Sequence, residues 1–469
     1  MNNVITNRRS LTAIYSIHQC LYWIVVCCTV SFAATYMTAK GLDVSAVGFV
    51  LFGANILSFA VQLFLASIAD KSGDSRALKL LMIILSGIPL IIMLVLCFTD
   101  IPLWLLAVLY VPMAAGIDME MPLMNSIVVF YSKRSYTVSY SIARSIAAAA
   151  FGLSSLGMGY AMKILGCDVS LLAALVSTAA YTAITLLYPR EGMLASRAAG
   201  PSGIAGAHGD ASDGPADRPD QAVQQADLSG IAITDTSITP AEHQSDTHQC
   251  RPASDHVLTG AESGTGSLSL ICFIRKYKWY VLSVGAVMLF GASHVASENY
   301  LIEIVRPLGG DSSNVGVALL VCTMAEIPGT LIASRLYKKL QARRIWLLIG
   351  ISYTIRMLFY VLAGSVGMIY LGQVFQCCSY ALLPPSQLYY ARDCVDDRDM
   401  VKGQSTSTAL YSLGNALGNL FGGLAVSAAG VAAMLKGCVG GALLGLLIAA
   451  VFVPFALKAA KKTAAPAYR

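Results

Sequence analysis

The chain has 469 residues, 56% of them apolar and 12% charged, with 32 Lys and Arg against 26 Asp and Glu for a formal net charge of +6. A mean hydropathy of +0.65 over that length excludes a water-soluble globule, in which about 25% of residues are charged. The surplus positive charge sits in short clusters between apolar runs, which excludes a nucleic-acid-binding face.

A transmembrane helix takes roughly 20 mainly apolar residues, at ~1.5 Å of rise each across a ~30 Å core. The first such run follows Arg8 and Arg9, is long enough to span and lacks a small-residue cleavage site, so it reads as an uncleaved first helix. Six spans are predicted near 14–38, 46–69, 77–98, 103–130, 140–163 and 169–188. Composition then changes: from Glu191 to Cys272 there is no Phe, Tyr or Trp, and Gly, Ala, Ser, Asp, Thr, Pro and Gln dominate. Four of the six His (His208, His243, His248, His256) fall here without regular spacing, which favours a disordered linker over a metal-binding tract. Six further spans are predicted near 279–304, 313–335, 343–364, 366–391, 405–428 and 431–457.

The expected organisation is an N-terminal six-helix bundle (1–189), a disordered cytoplasmic linker (190–274) and a C-terminal six-helix bundle (275–469). The fold class is an all-α membrane protein of 12 transmembrane helices with a long central loop. With both termini on one side, short loops there hold nineteen Lys and Arg, against Lys40, Lys163, Arg306 and Lys436 on the other. That bias places termini and linker in the cytoplasm of a multi-pass cell-membrane protein, expected to work as a monomer. The 12 Cys form no CxxC pair and mostly sit in apolar runs, so neither disulfides nor a metal site are expected. There is no Walker A loop and no nucleophile constellation, so ATP-driven transport and enzymatic catalysis are not expected, and no cofactor is implied.

A charge at the bilayer centre costs at least ~2.5–3.5 kcal/mol, so ionisable residues inside spans face the bundle interior or a wet cavity. The spans contain Asp118, Glu120, Arg144, His294, Glu298, Glu326 and Arg356. The guanidinium of Arg144 suits a fork onto sugar hydroxyls or a carboxylate, with a structural ion pair as the alternative. Asp118 and Glu120 lie about 200° apart around one helix, so one is expected to face the cavity while the other serves packing. Glu326 falls near the middle of its span, just before Pro328, and with Glu298 is the candidate proton carrier. His294 reads as a proton relay or a packing histidine, and Arg356 as a gating or pairing residue. Gln376, Ser379 and Tyr380 offer hydrogen bonds to a solute; Tyr22–Trp23 and Tyr389–Tyr390 offer stacking faces or core. Gly414, Gly418 and Gly422 make a small-residue face, and Pro112, Pro122 and Pro384–Pro385 are expected to kink their helices.

Two six-helix halves joined by a long loop resemble the major facilitator superfamily, in which solute binds between parallel repeats at the midplane. Asp70, Lys71, Gly73 and Arg76 resemble that superfamily's signature loop, with Ala66 in place of its usual glycine. Such a loop would form a charge latch that helps switch conformation. Within the superfamily the pattern is similar to the oligosaccharide–proton symporters of the lactose-permease-like group and the related nucleoside–proton symporters. Tyr140–Arg144 resembles the entry to the fifth helix, whose arginine binds sugar; Thr323–Glu326 resembles the Thr-Met-Gly-Glu motif whose glutamate contacts substrate. Arg356 is placed like the arginine that assists proton release. In helix ten, the group's His-x-x-Glu proton site is replaced by Gln376-Cys377-Cys378-Ser379; in helix seven, two aspartates are replaced by His294 and Ser297, with Glu298 adjacent. The glutamate that partners the sugar-binding arginine falls near Asn125. The resemblance implies a proton-coupled importer of a small polar solute, a sugar or nucleoside. An exporter of the same fold and a non-transporting receptor derived from it are the alternatives.

Overall fold

The computed structural model describes residues 8–71, 75–132, 138, 140–188 and 270–464. Long apolar helices follow from the solvent: in hydrocarbon every backbone N–H and C=O must be satisfied within its own helix. The N-terminal half comprises α1 (Arg8–Val26), continued through a wide turn at Cys27–Ser31 into α2 (Ala33–Ala39), then α3 (Val44–Lys71), α4 (Ser75–Phe98), α5 (Leu103–Ser132), α6 (Tyr140–Leu165) and α7 (Asp168–Leu187). The C-terminal half comprises α8 (Leu270–Lys276), α9 (Lys278–Asn299), α10 (Leu301–Val305), α11 (Ser312–Val361), α12 (Val366–Val374), α13 (Leu383–Cys394), α14 (Met400–Ala429) and α15 (Val431–Ala464).

Among the described residues ten helical stretches are long and apolar enough to cross a membrane. One of them, α11, is two crossings, because Gln341 leaves the helical region (φ 62°, ψ 160°) and divides it into 312–340 and 342–361. The 30-residue α14, rich in Gly, Ser and Asn, is the remaining crossing of the twelve. The outer surface is apolar: Leu80, Ile84, Ile88, Ile91, Leu94 and Phe98 stand exposed along one face of α4, at the three- and four-residue spacing of a lipid-facing stripe.

Two details differ from the sequence reading. Residues 270–274, assigned there to the linker, open α8, because Phe273 is fully buried and packs on Tyr277 with ring centroids 5.0 Å apart. The tenth crossing breaks ahead of Pro384–Pro385, in tight turns at Phe375–Cys377 and Tyr380–Leu382; the prolines sit at the start of α13, where a missing N–H costs nothing. Pro112 and Pro122 lie inside α5, which runs as one helix from Leu103 to Ser132. The rest of the linker lies outside the described residues. So do Gly73 of the expected latch loop and the side chains of Asp70, Lys71 and Arg76.

The halves meet closely on the face away from the linker. A Cβ on Gly316 of α11 would lie 2.4 Å from the Ser155 carbonyl oxygen of α6, and one on Gly159 would lie 2.5 Å from the Ser312 carbonyl oxygen. The Ser312 hydroxyl donates to the Gly159 carbonyl at 2.9 Å. Two further polar links join the halves there: Lys163 to Asp311 at 2.8 Å, and the Ser427 hydroxyl to Asp43 at 2.9 Å. Hydrogen bonds from Lys163 and then Ser313 hold the Asp311 carboxyl at about 2. A depressed carboxylate contributes fully above its unfolded value and is lost only as pH falls through about 2, so this link persists at every physiological pH. Within the C-terminal half, Gly414, Gly418 and Gly422 of α14 seat successively on Met288, Ala292 and Ala296 of α9.

A leucine at Gly316 cannot be accommodated in the closed arrangement. Gly316→Leu should raise the rate at which a membrane-impermeant maleimide, applied from that face, alkylates the cavity thiol Cys322 by about tenfold or more. A Cys322→Ser background identifies the signal, and an unchanged rate would show that this contact does not seal the face.

Candidate functional site

The best-defined polar feature of the interior is centred on Arg356, whose side chain is 0% exposed. A guanidinium has five N–H donors and no acceptor, and here all five are used. Nε donates to the Tyr360 hydroxyl at 3.3 Å. One terminal nitrogen donates to His294 Nδ1 at 3.0 Å and to Gln376 Oε1; the other donates to Glu298 Oε1 at 3.0 Å and to Gln373 Oε1. Because Arg356 can only donate, His294 Nδ1 accepts, the ring proton sits on Nε2, and Nε2 faces Glu298 Oε2 at 3.6 Å. The Cys322 thiol donates to Glu298 Oε1 at 3.1 Å, and Tyr380 stacks on the His294 ring at 4.9 Å. Helices α9, α11 and α12 are thereby tied by one charge cluster.

In front of this cluster, between the two halves, lies a cavity of about 390 Å³, within the range of small-molecule sites. The N-terminal half lines it with Trp23, Asn55, Gln62, Asp118 and Arg144; the C-terminal half with Glu298, Asn299, Cys322, Glu326, Gln376 and Asn419, among others. Arg144 of α6 reaches across to Glu326 of α11 at 3.7 Å, so an ion pair inside the cavity joins the halves. The guanidinium also lies over the Trp23 ring, 4.2 Å from its centroid. That ring is fixed by a chain of hydrogen bonds: Trp23 Nε1 donates to Gln19 (3.2 Å), Gln19 Nε2 to the Tyr15 hydroxyl (2.7 Å), and Tyr15 to Asn125 Oδ1 (3.2 Å). Asn125, at the position where a partner glutamate was expected, thus anchors the aromatic platform beneath Arg144.

The structure brings Asp118, Arg144, His294, Glu298, Glu326 and Gln376 to one cavity, with Arg356 directly behind its wall. It does not bring Glu120 there. That carboxylate is 2% exposed and accepts from the Tyr181 hydroxyl at 2.6 Å within the N-terminal half, on the far side of α5 from Asp118. Tyr390 is core, bonded to Ser283 at 2.7 Å and packed on Trp346, and Tyr22 is 5% exposed. The sequence reading passed over Asn55, Gln62, Asn299, Asn415 and Asn419. Uncharged amides do not interrupt an apolar run, although Asn415 and Asn419 share a face at four-residue spacing beside the noted glycines. Asn299 donates to Asn419 Oδ1 at 2.7 Å, an amide pair on the cavity wall.

Two helical bundles enclosing a polar, charge-paired midplane cavity define a membrane transporter fold rather than an enzyme. Residues 12–435 match the model of the MFS_1 like family, and the chain belongs to that family, part of the major facilitator superfamily. A stretch of 138 residues is 34% identical to the maltose permease of Geobacillus stearothermophilus, covering 29% of this chain and 34% of that one. Among solved structures, the nucleoside transporter NupG superposes with a TM-score of 0.66 at 13% identity, covering 96% of this chain and 99% of that one. A D-xylose-proton symporter superposes with a TM-score of 0.60 at 12% identity, covering 96% and 99% respectively. At these identities the superpositions show a shared fold.

Removing one member of a buried ion pair costs about 3–5 kcal/mol, because the partner charge is left uncompensated. Arg356→Met should therefore lower the thermal unfolding midpoint of the purified protein strongly, and Arg356→Met with Glu298→Gln should recover part of the loss. No recovery in the double variant would mean that the two residues are not energetically coupled.

Proposed function

We propose that the chain is a proton-coupled symporter of a small hydroxyl-rich solute, a sugar or a nucleoside, that works by rocking its two halves about the central cavity. The observation that carries this reading is the ion pair of Arg144 and Glu326, 3.7 Å apart, joining opposite halves inside a polar cavity. A planar guanidinium forks onto vicinal hydroxyls, and a facing carboxylate accepts from others, so a solute inserts between the two and takes over their bonds. A contact made by both halves couples solute binding to their relative position.

Glu326 is the carboxylate suited to carry the proton. Glu298 is held by Arg356 and Cys322, with His294 Nε2 facing it, whereas Glu326 has Arg144 as its ion-pair partner among the described residues, at the longer distance. Solute lying between Arg144 and Glu326 leaves the carboxylate to a proton, which is given up when the solute departs and the pair re-forms. The helix-ten proton site of the lactose-permease-like group is absent, and the arginine of helix nine engages a glutamate on helix seven instead. The similarity to a maltose permease and the shared fold with nucleoside and xylose transporters support the solute class. The Lys and Arg bias places termini and linker in the cytoplasm of a cell-membrane protein, so the closed face of the structure is the outer one.

The test is external pH in a lightly buffered, energy-depleted, anaerobic suspension of expressing cells pulsed with sugars and nucleosides. An accepted solute should alkalinise the medium, and Glu326→Gln should abolish the signal while still exchanging solute. Arg144→Lys, which loses the fork, should raise the half-saturating concentration roughly 10- to 100-fold. Solute uptake without any pH change would remove proton coupling; a pH signal unaltered in both variants would remove the assigned roles.

A further inference from the structure

The cavity's charges do not balance. Asp118, Glu298 and Glu326 present three carboxylates; the guanidiniums that meet them are Arg144 and Arg356. His294 adds no compensating charge, since its Nδ1 accepts from Arg356 and a single ring proton remains on Nε2. Glu298 is taken by Arg356 at 3.0 Å, and Glu326 by Arg144 at 3.7 Å. The Asp118 carboxylate has no hydrogen-bond or ion-pair partner among the described residues; the contact to this residue is from Gln62 Nε2 to its backbone carbonyl at 3.4 Å. Its neighbours on the wall from α3 are Asn55, Ser58 and Gln62, which are dipoles without charge. A carboxylate without a charged partner at mid-membrane depth calls for a cation.

Resting on the solute-cavity reading above, we infer that the solute carries a protonated amine as well as hydroxyls, with the ammonium seated on Asp118. The hydroxyl-bearing part then lies between Arg144 and Glu326. A transition-metal ion fits less well: no group of three His, Cys, Asp or Glu among the described residues is placed to hold one. An ammonium needs one carboxylate and a few amide or hydroxyl oxygens, which α3 supplies beside Asp118. The remainder of the solute fills a space of about 390 Å³ that a single small ion would leave empty.

The experiment is binding to the purified full chain at pH 6 by thermal shift, using matched probes. These are glucose, glucosamine and N-acetylglucosamine; galactose, galactosamine and N-acetylgalactosamine; and adenosine with 3′-amino-3′-deoxyadenosine. In at least one series the amine member should bind about tenfold or more tightly than its hydroxyl or acetylated counterpart. Asp118→Asn should erase that preference, and Asp118→Glu, which keeps the charge, should retain it; the wild-type comparison decides even if a variant fails to fold. Neutral members binding as tightly as amines would overturn the inference, and would mean that Asp118 is neutralised by a proton, while leaving the proposed symport intact. Amine preference that survives Asp118→Asn would also overturn it. Absence of binding by every probe would remove both this inference and the solute class on which it rests.

Discussion

A guanidinium in the middle of a bilayer is tolerable only when all its donors are met, and Arg356 shows what meeting them entails. Its five N–H groups draw acceptors from α9, from α11 itself, from α12 and from the broken stretch after it. Because each acceptor must sit at a set angle around a planar group, those segments are held in register at the depth where the cavity lies. The break of the tenth crossing at Phe375–Cys377 follows the same logic: irregular backbone is admissible at membrane depth where it is buried in protein, and there it turns Gln376 towards both Arg356 and the cavity. The cluster ties the C-terminal wall of the cavity together through one side chain.

Across the cavity the design is different. Arg144 is held on one side by the Trp23 ring and on the other by a carboxylate at 3.7 Å, a looser arrangement than the saturated Arg356 cluster. On the closed face the halves meet through glycines whose lack of a Cβ lets backbones touch, with three polar links around them. Small-residue contacts of this kind have little side-chain interdigitation to undo, which suits an interface that opens and closes.

Much of the fold was legible because the membrane enforces it. Apolar runs of crossing length marked the helices, and the aromatic-free stretch after Glu191 marked the division into halves. The eleventh crossing was legible near 405–428 even though the glycines that let α14 lie on α9 and the asparagines that line the cavity lower its hydropathy. The site was legible at its charges, since an ionisable residue inside a span stands out. The pairing was not, because Arg356 and Glu298 are 58 residues apart and meet only in three dimensions. The same holds for Asp118 and Glu120, whose angular separation was readable although which of them faces the cavity was not. The hydrogen-bond chain from Asn125 through Tyr15 and Gln19 to Trp23 was not legible, because Tyr15 and Gln19 are ordinary polar residues in an apolar run and their partner Asn125 is 110 residues from Tyr15.

The central claim is that the two halves close alternately on the two faces around one solute cavity. Spin labels in a cysteine-free background test it through paired distances. One pair is Ile164→Cys with Pro307→Cys on the closed face; the other is Ile142→Cys at the start of α6 with Ile332→Cys towards the end of the first crossing of α11. With an accepted solute, the first distance should gain a longer population while the second gains a shorter one, in the same samples. Distances that stay fixed, or that lengthen together, would contradict alternation between the faces.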